Sequence, residues 1–158
     1  MKLFSHILAV ICAVSLMMSG IALADPSVLT ESGFPIVNEP VILKVMASAT
    51  SIQPAFSEMT VLQRYAEMTG VEIEWISVPS SARGERVQLA IASGELPDVF
   101  LKCGISNDSL QVYGDNGDLL DLKPLLEQYA PNFWAYAQKY PDVLTSVSTP
   151  DGHICSLR

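Results

Sequence analysis

Few side chains in this sequence could carry out acid–base or nucleophilic chemistry. Beyond residue 24 there is one histidine, His153, whose predicted turn position favours a structural or solvated role over a catalytic one. No G-x-S-x-G elbow and no glycine-rich phosphate loop occurs. The acidic pairs Glu72/Glu74 and Asp115/Asp118 fit a solvated strand face and a turn better than the opposed carboxylates of a glycosidase. We therefore predict no catalytic residue.

The run Asp-Asn-Gly-Asp at residues 115–118 offers carboxylate and amide oxygens of the kind that bind calcium. Its glycine is third in the loop rather than sixth, and no glutamate stands at the twelfth position, so the run departs from an EF-hand. We predict a turn without a bound metal here, and the sequence implies no cofactor.

Two cysteines, Cys103 and Cys155, remain after the N-terminal segment. An exported chain permits a disulfide between them. Sequence alone does not tell whether their Cα atoms approach within about 7 Å, as a disulfide requires. Two separate buried thiols are the favoured interpretation, and the disulfide is the alternative.

The N-terminal segment has the order of a secretory signal peptide. Lys2 precedes an apolar run, and small residues ending in Ala22-Leu23-Ala24 follow it. The run is short for a membrane anchor, which needs about 20 apolar residues. We predict cleavage near Ala24 and a periplasmic or extracellular location. The net charge of −8 argues against nucleic acid and anionic membranes as partners.

Three strands and two helices are predicted between residues 41 and 101. The apolar run at 41–47 is typical of a strand covered on both faces, and 71–78 alternates as an edge strand does. Helices are expected at 59–69, ended by Gly70, and after Ser81, a candidate N-cap, up to Gly94. A short strand is expected at 99–101. This βαβαβ order predicts parallel pairing and an α/β fold. Residues 25–40, rich in proline, are expected to form an extended leader.

The remainder of the sequence predicts turns and short helices. A turn at 114–118 leads to a short helix at Pro124, and a helix from Pro131 to Tyr140 is expected to place Phe133, Trp134, Ala137 and Tyr140 in apolar contacts. Residues 143–148 then lead to the turn Pro150-Asp151-Gly152. Residues 153–157 are expected to form a returning strand.

Five segments of this pattern resemble the extracellular solute-binding proteins of ABC importers, group 1, of the LplA/LipO type. They are residues 41–50, 69–75, 89–99, 113–122 and 150–157, in the same order and spacing as in that family. Two positions depart from the family pattern, since Cys155 stands where an aromatic residue is usual and Arg158 where proline is usual.

The resemblance implies a periplasmic-binding-protein-like (type II) open sheet, with residues 41–158 as an incomplete N-terminal lobe of a two-lobe protein. It implies capture of a solute, a sugar or oligosaccharide, and its delivery to an ABC permease in the membrane by a monomer that is not an enzyme. Family members are several hundred residues long, so a fragment or truncated product is expected. A secreted α/β hydrolase and a truncated product without autonomous function are the alternatives.

Ligands of open α/β sheets bind beyond the carboxyl ends of the strands. The predicted ligand-binding residues therefore follow two strands. They are Ser48, Thr50 and Ser51 after the first strand, and Lys102 and Gly104 after the third. Hydroxyl and charged groups suit a sugar, and an aromatic platform suits its apolar faces. Trp75, Trp134 and Tyr136 are expected to pack in the core rather than to form that platform.

Overall fold

The computed structural model describes residues 28–157. The predicted signal peptide, its cleavage near Ala24 and residues 25–27 of the leader lie outside this part. The described part is an α/β fold with three strands, β1 (Val41–Ala49), β2 (Val71–Pro79) and β3 (Val99–Leu101). Six helices accompany them: α1 (Thr60–Thr69), α2 (Arg83–Ser93), α3 (Asn107–Asp115), α4 (Lys123–Tyr129), α5 (Pro131–Lys139) and α6 (Pro141–Val147).

The three strands form a parallel sheet in the order β2-β1-β3. β1 pairs along its whole length with β2, from Val41 opposite Val71 to Ala49 opposite Pro79. Its contact with β3 is shorter and runs from Val45 opposite Val99 to Ala47 opposite Leu101. The predicted βαβαβ unit, its parallel pairing and the edge place of β2 are therefore confirmed, and β1 is the central strand.

The two crossover helices cover opposite faces of the sheet. Residues of α2 pack against Met46 of β1 and Val78 of β2 on one face. Leu62 of α1 and Phe56 of a short 3₁₀ helix (Phe56–Glu58) pack against Val45 and Ala47 on the other. A right-handed crossover produces this division, because the chain moves in opposite directions across the sheet in its two connections.

The helices end where glycine can adopt the left-handed conformation. Gly70 follows α1 with φ 77° and Gly94 follows α2 with φ 72°, as the sequence predicts. The predicted N-cap at Ser81 is wrong. α2 begins after Ala82, which has no side chain capable of capping, and Ser81 lies one residue too early to serve the first turn.

The C-terminal helices share a small core of their own. Leu126, Val147 and Ile154 are buried there, and Phe133 and Trp134 of α5 pack against them. The expected helix from Pro131 is confirmed, and each of α4, α5 and α6 has a proline in its first turn. Ser106 is the N-cap of α3, and its hydroxyl accepts a hydrogen bond from the Ser109 amide at 3.3 Å.

Two predicted segments have a different structure. Residues 153–157 form no strand, because Ile154 is buried against the helices and its backbone bonds to residues 121 and 122 instead of to the sheet. The leader is not extended over residues 28–38. Leu29 forms an antiparallel bridge with Val37, which is buried, so this segment turns back on itself.

Candidate ligand-binding edge

The carboxyl ends of all three strands meet at one edge of the sheet. Because the strands are parallel, Ala49, Pro79 and Leu101 end at this edge in the order β2-β1-β3. The amide of Ser80 donates a hydrogen bond to the carbonyl of Ala49 at 3.0 Å. The loops after β1 and β2 are thus tied together where the strands stop.

A cleft of about 420 Å³ opens between these two loops. Its lining is rich in hydroxyl groups and consists of Ala49, Thr50, Ser51, Ser77, Val78, Pro79, Ser80 and Ser81. Two predicted site residues, Thr50 and Ser51, lie in it. The three serines from β2 and its loop were not among the predicted residues. The parallel pairing was the signal for them, since the rule about carboxyl ends applies to β2 as much as to β1.

Thr50 has a fixed neighbour at the mouth of the cleft. The side-chain oxygen of Gln53 accepts from the Thr50 amide at 3.3 Å and lies 3.4 Å from the Thr50 hydroxyl. Ser48 lies in β1, two residues before Thr50, and is only 4% exposed. Ser48 is therefore the least accessible of the predicted residues, although it lies at the correct edge.

Lys102 and Gly104 lie at the same edge but are not among the residues lining this cleft. Both adopt left-handed backbone conformations, with φ 57° and 66°. Such a conformation strains the lysine but not the glycine. The guanidinium of Arg83, at the start of α2, lies over Gly104. Arg83 was not predicted either, because nothing in its sequence position indicates contact with the loop after β3.

The two cysteines are free thiols, so the alternative of a disulfide is not formed in this structure. The thiol of buried Cys103 lies 3.4 Å from the carbonyl oxygen of Met46, under the sheet end. The sulfur of Cys155 lies close to the backbone of Gly114 instead. Burial is the main reason why the pKa values of both thiols are raised, although the charge of Arg83 acts in the opposite direction on Cys103.

The aromatic residues do not line the cleft. Trp75 stacks on Phe56 with ring centroids 4.7 Å apart, and both line a separate cavity of about 260 Å³ beside α1. Trp134 packs in the C-terminal core, as predicted. The core prediction is wrong for Tyr136, whose exposed side chain packs on the ring of Tyr140 at the surface while the adjacent Ala137 is buried.

His153 contacts two carboxylates and does not line the cleft. Its Nδ1 lies 2.8 Å from Asp121 and its Nε2 lies 3.5 Å from Asp151. This arrangement holds the turn at 150–152 against the start of α4. Within residues 28–157, no group of three or more histidine, cysteine or acidic side chains could hold a metal ion. No helix in the same part is long and apolar enough to cross a membrane.

Comparison with known proteins shows the family. Residues 47–148 match the family model described as bacterial extracellular solute-binding protein. A curated relative, the fructooligosaccharide ABC transporter substrate-binding protein FusA of Streptococcus pneumoniae serotype 4, is 32% identical over 124 residues. This match covers 78% of the chain and 23% of FusA.

Solved structures give the same result. FusA of S. pneumoniae in complex with kestose superimposes with a TM-score of 0.66 at 32% identity, covering 72% of this chain and 23% of that one. The alginate-binding protein AlgQ2 superimposes with a TM-score of 0.62 at 26% identity, covering 75% and 24%. The chain thus spans about a quarter of the length of these relatives. With its parallel sheet and its match over residues 47–148, the chain belongs to the family of bacterial extracellular solute-binding proteins.

Proposed function

We propose that the protein containing this chain captures an oligosaccharide outside the cytoplasmic membrane as the substrate-binding component of an ABC importer. The observation that carries the proposal is the hydroxyl-lined cleft of about 420 Å³ at the carboxyl edge of the sheet. Hydroxyl groups both donate and accept hydrogen bonds, which suits the hydroxyls of a sugar. The relatives named for fructooligosaccharides and kestose support this ligand class.

The residues that line this cleft form one side of the proposed binding site. A second lobe would close over the ligand, and the loaded protein would deliver it to a membrane permease. Export through the N-terminal signal, with cleavage near Ala24, would bring the protein to the periplasm or the cell exterior. The substrate-binding role of FusA supports this arrangement. The relatives are binding proteins, and no feature of the edge favours hydrolysis as a second function.

Ligand binding can be tested on the intact protein by thermal shift and calorimetry with a panel of neutral and acidic oligosaccharides. A ligand that binds the folded state raises the melting temperature, and the rise grows with the logarithm of the ligand concentration relative to Kd. We expect Thr50→Val to weaken binding by about three- to tenfold, the usual range for one lost neutral hydrogen bond. Thr145→Val is the matched control, because Thr145 is exposed on α6 and bonds to its own helix.

Two results would contradict the proposal. One is that no oligosaccharide in the panel changes the melting temperature. The other is that Thr50→Val and Thr145→Val affect binding equally. Delivery is tested separately, by uptake of a labelled ligand in cells with and without the gene, where unchanged uptake would exclude a role in import.

A further inference from the structure

Arg83 contacts the loop that follows β3. It starts α2, directly after the loop that follows β2, whereas Gly104 lies in the loop after β3. A Cβ placed on Gly104 would lie 3.0 Å from the Arg83 Nε and 3.4 Å from its Cζ and Nη2. The guanidinium thus joins the start of α2, which follows β2, to the loop after β3 on the other side of β1.

The guanidinium rests on backbone but has no polar partner. Within the part of the chain that the structure describes, Arg83 makes no side-chain hydrogen bond and no ion pair, and the same holds for Lys102, two residues before Gly104. The absence of a side chain at Gly104 leaves room for the guanidinium. Arg83 is exposed, so its five N–H donors are accessible to a ligand at this edge.

Arg83 and Lys102 place two positive charges at this edge of an acidic chain. The sequence carries 17 acidic residues against 9 lysines and arginines. Lys102 is also held in a left-handed conformation that lysine adopts only at a cost. An exposed arginine beside Gly104 and a lysine on a strained backbone at the same sheet edge favour a negatively charged group.

We propose that Arg83, assisted by Lys102, binds a carboxylate of the captured sugar, so that the ligand is an acidic oligosaccharide containing a uronate. The planar fork of a guanidinium matches the two oxygens of a carboxylate, and such pairs are stronger than neutral hydrogen bonds. The hydroxyl cleft beside β1 and β2 then holds the neutral part of the sugar. This inference rests on the proposed function and specifies its substrate class.

The test compares three ligands on the intact protein by calorimetry: an oligogalacturonate, the same oligosaccharide as its methyl ester, and a phosphorylated sugar. We expect the free acid to bind at least about tenfold more tightly than the ester, a difference set by loss of a charged hydrogen-bond pair. The affinity for the acid should also fall as salt concentration rises, because an exposed ion pair is screened.

Variants assign the effect to Arg83. Arg83→Gln should weaken binding of the acid by about tenfold or more and leave the ester unchanged, while Arg83→Lys should retain part of the preference, because it keeps the charge but loses the planar fork. Arg86→Gln is the matched control, because Arg86 is also exposed and lies three residues further along α2. It should change the affinity for neither the acid nor the ester.

The outcomes separate this inference from the function on which it rests. If neutral oligosaccharides bind while acid and ester bind equally, or if Arg83→Gln affects both alike, the carboxylate assignment is overturned and the binding function stands. The same holds if only the phosphorylated sugar responds to Arg83→Gln. If no sugar binds at all, the proposed function itself fails.

Discussion

His153 is the residue whose ionisation is most closely tied to the structure. A hydrogen bond from its ring to Asp121, helped by the charge of Asp151, raises the pKa of His153 above its ordinary value of 6.5. Burial raises the pKa of Asp121, but hydrogen bonds from His153 and two backbone amides outweigh it, so that the pKa is lowered. The pKa of Asp151 is lowered chiefly by its hydrogen bond with Thr149. Asp115 is a further negative charge near the ring.

These directions predict how stability depends on pH. A histidine whose pKa is higher in the folded state stabilises the fold fully below the unfolded value of about 6.5, and this contribution is lost as pH rises through the folded pKa. The lowered pKa values of Asp121 and Asp151 act at the acid end. Their contribution to the free energy of unfolding is lost as the pH falls through those pKa values. We therefore expect the wild type to exceed His153→Gln in free energy of unfolding between roughly pH 5 and 6.5, with the difference fading above that range.

Urea unfolding across pH 4 to 9 measures this difference, and NMR titration of the ring of His153 gives its pKa directly. A pKa at or below 6.5 would contradict the prediction. A stability difference that does not change with pH would also contradict it, since it would indicate a packing effect of the substitution rather than loss of the charge.

Gly70 is required for two reasons at once. Its φ of 77° disfavours any side chain, and a Cβ there would lie 3.0 Å from Val37 and 3.3 Å from Pro35 of the folded-back leader. At Gly94 φ is similar, 72°, but nothing lies within 4 Å. We expect Gly94→Ala to cost about 1 kcal/mol from the backbone alone and Gly70→Ala to cost more, because the leader must also shift. Urea unfolding measures the loss of free energy of unfolding in both variants. Equal losses would contradict the prediction, because they would mean that the contacts of Gly70 with the leader do not contribute.

At the scale of elements, α2 positions the candidate site because it is anchored under the sheet. Val87, 4% exposed, packs between Met46 and Val78, whereas Leu89 on the same helix is 56% exposed. We expect Val87→Ala to lower the free energy of unfolding by about 2 kcal/mol, since it removes two buried methyl groups and leaves a cavity. Leu89→Ala should cost less than about 0.5 kcal/mol. Chemical denaturation of both variants checks the difference, and similar costs would mean that α2 is not held by this contact.

Sequence patterns predict the elements whose packing is local. The run at 41–47 and the glycines at 70 and 94 are sufficient to place β1 and the ends of α1 and α2, because burial on both faces and positive φ have clear signatures. The strand expected at 153–157 fails for the opposite reason. An apolar residue such as Ile154 can be buried by helices as well as by a sheet, and sequence does not say which.

The same distinction explains the candidate site. Thr50 and Ser51 follow from the rule about strand ends, which depends on topology alone. The place of Arg83 over Gly104 depends on which loops become neighbours after the crossover of α2. Such a contact between loops distant in sequence leaves no periodic pattern, so only the folded structure shows it.

At the scale of the whole molecule, the layer of α1 and the 3₁₀ helix covers one face of β1 but does not extend over β3. Val99 and Leu101 lie opposite Val45 and Ala47, which are buried, yet they are 42% and 39% exposed. In a parallel sheet, paired residues share a face, so the layer formed by α1 does not reach β3. The apolar side chains of β3 are thus left exposed in the part of the chain that the structure describes.

The uncovered strand predicts how residues 25–158 behave when produced alone. Exposed apolar sheet surface and a free strand edge favour dye binding and association, so we expect this segment to bind the dye ANS and to unfold with a shallow urea dependence. Replacing Val99 and Leu101 by threonine should reduce ANS binding, whereas Val61→Thr, on the exposed face of α1, should not. A steep, cooperative transition without ANS binding would contradict this expectation, because it would mean that the three-stranded sheet is a stable unit without further cover.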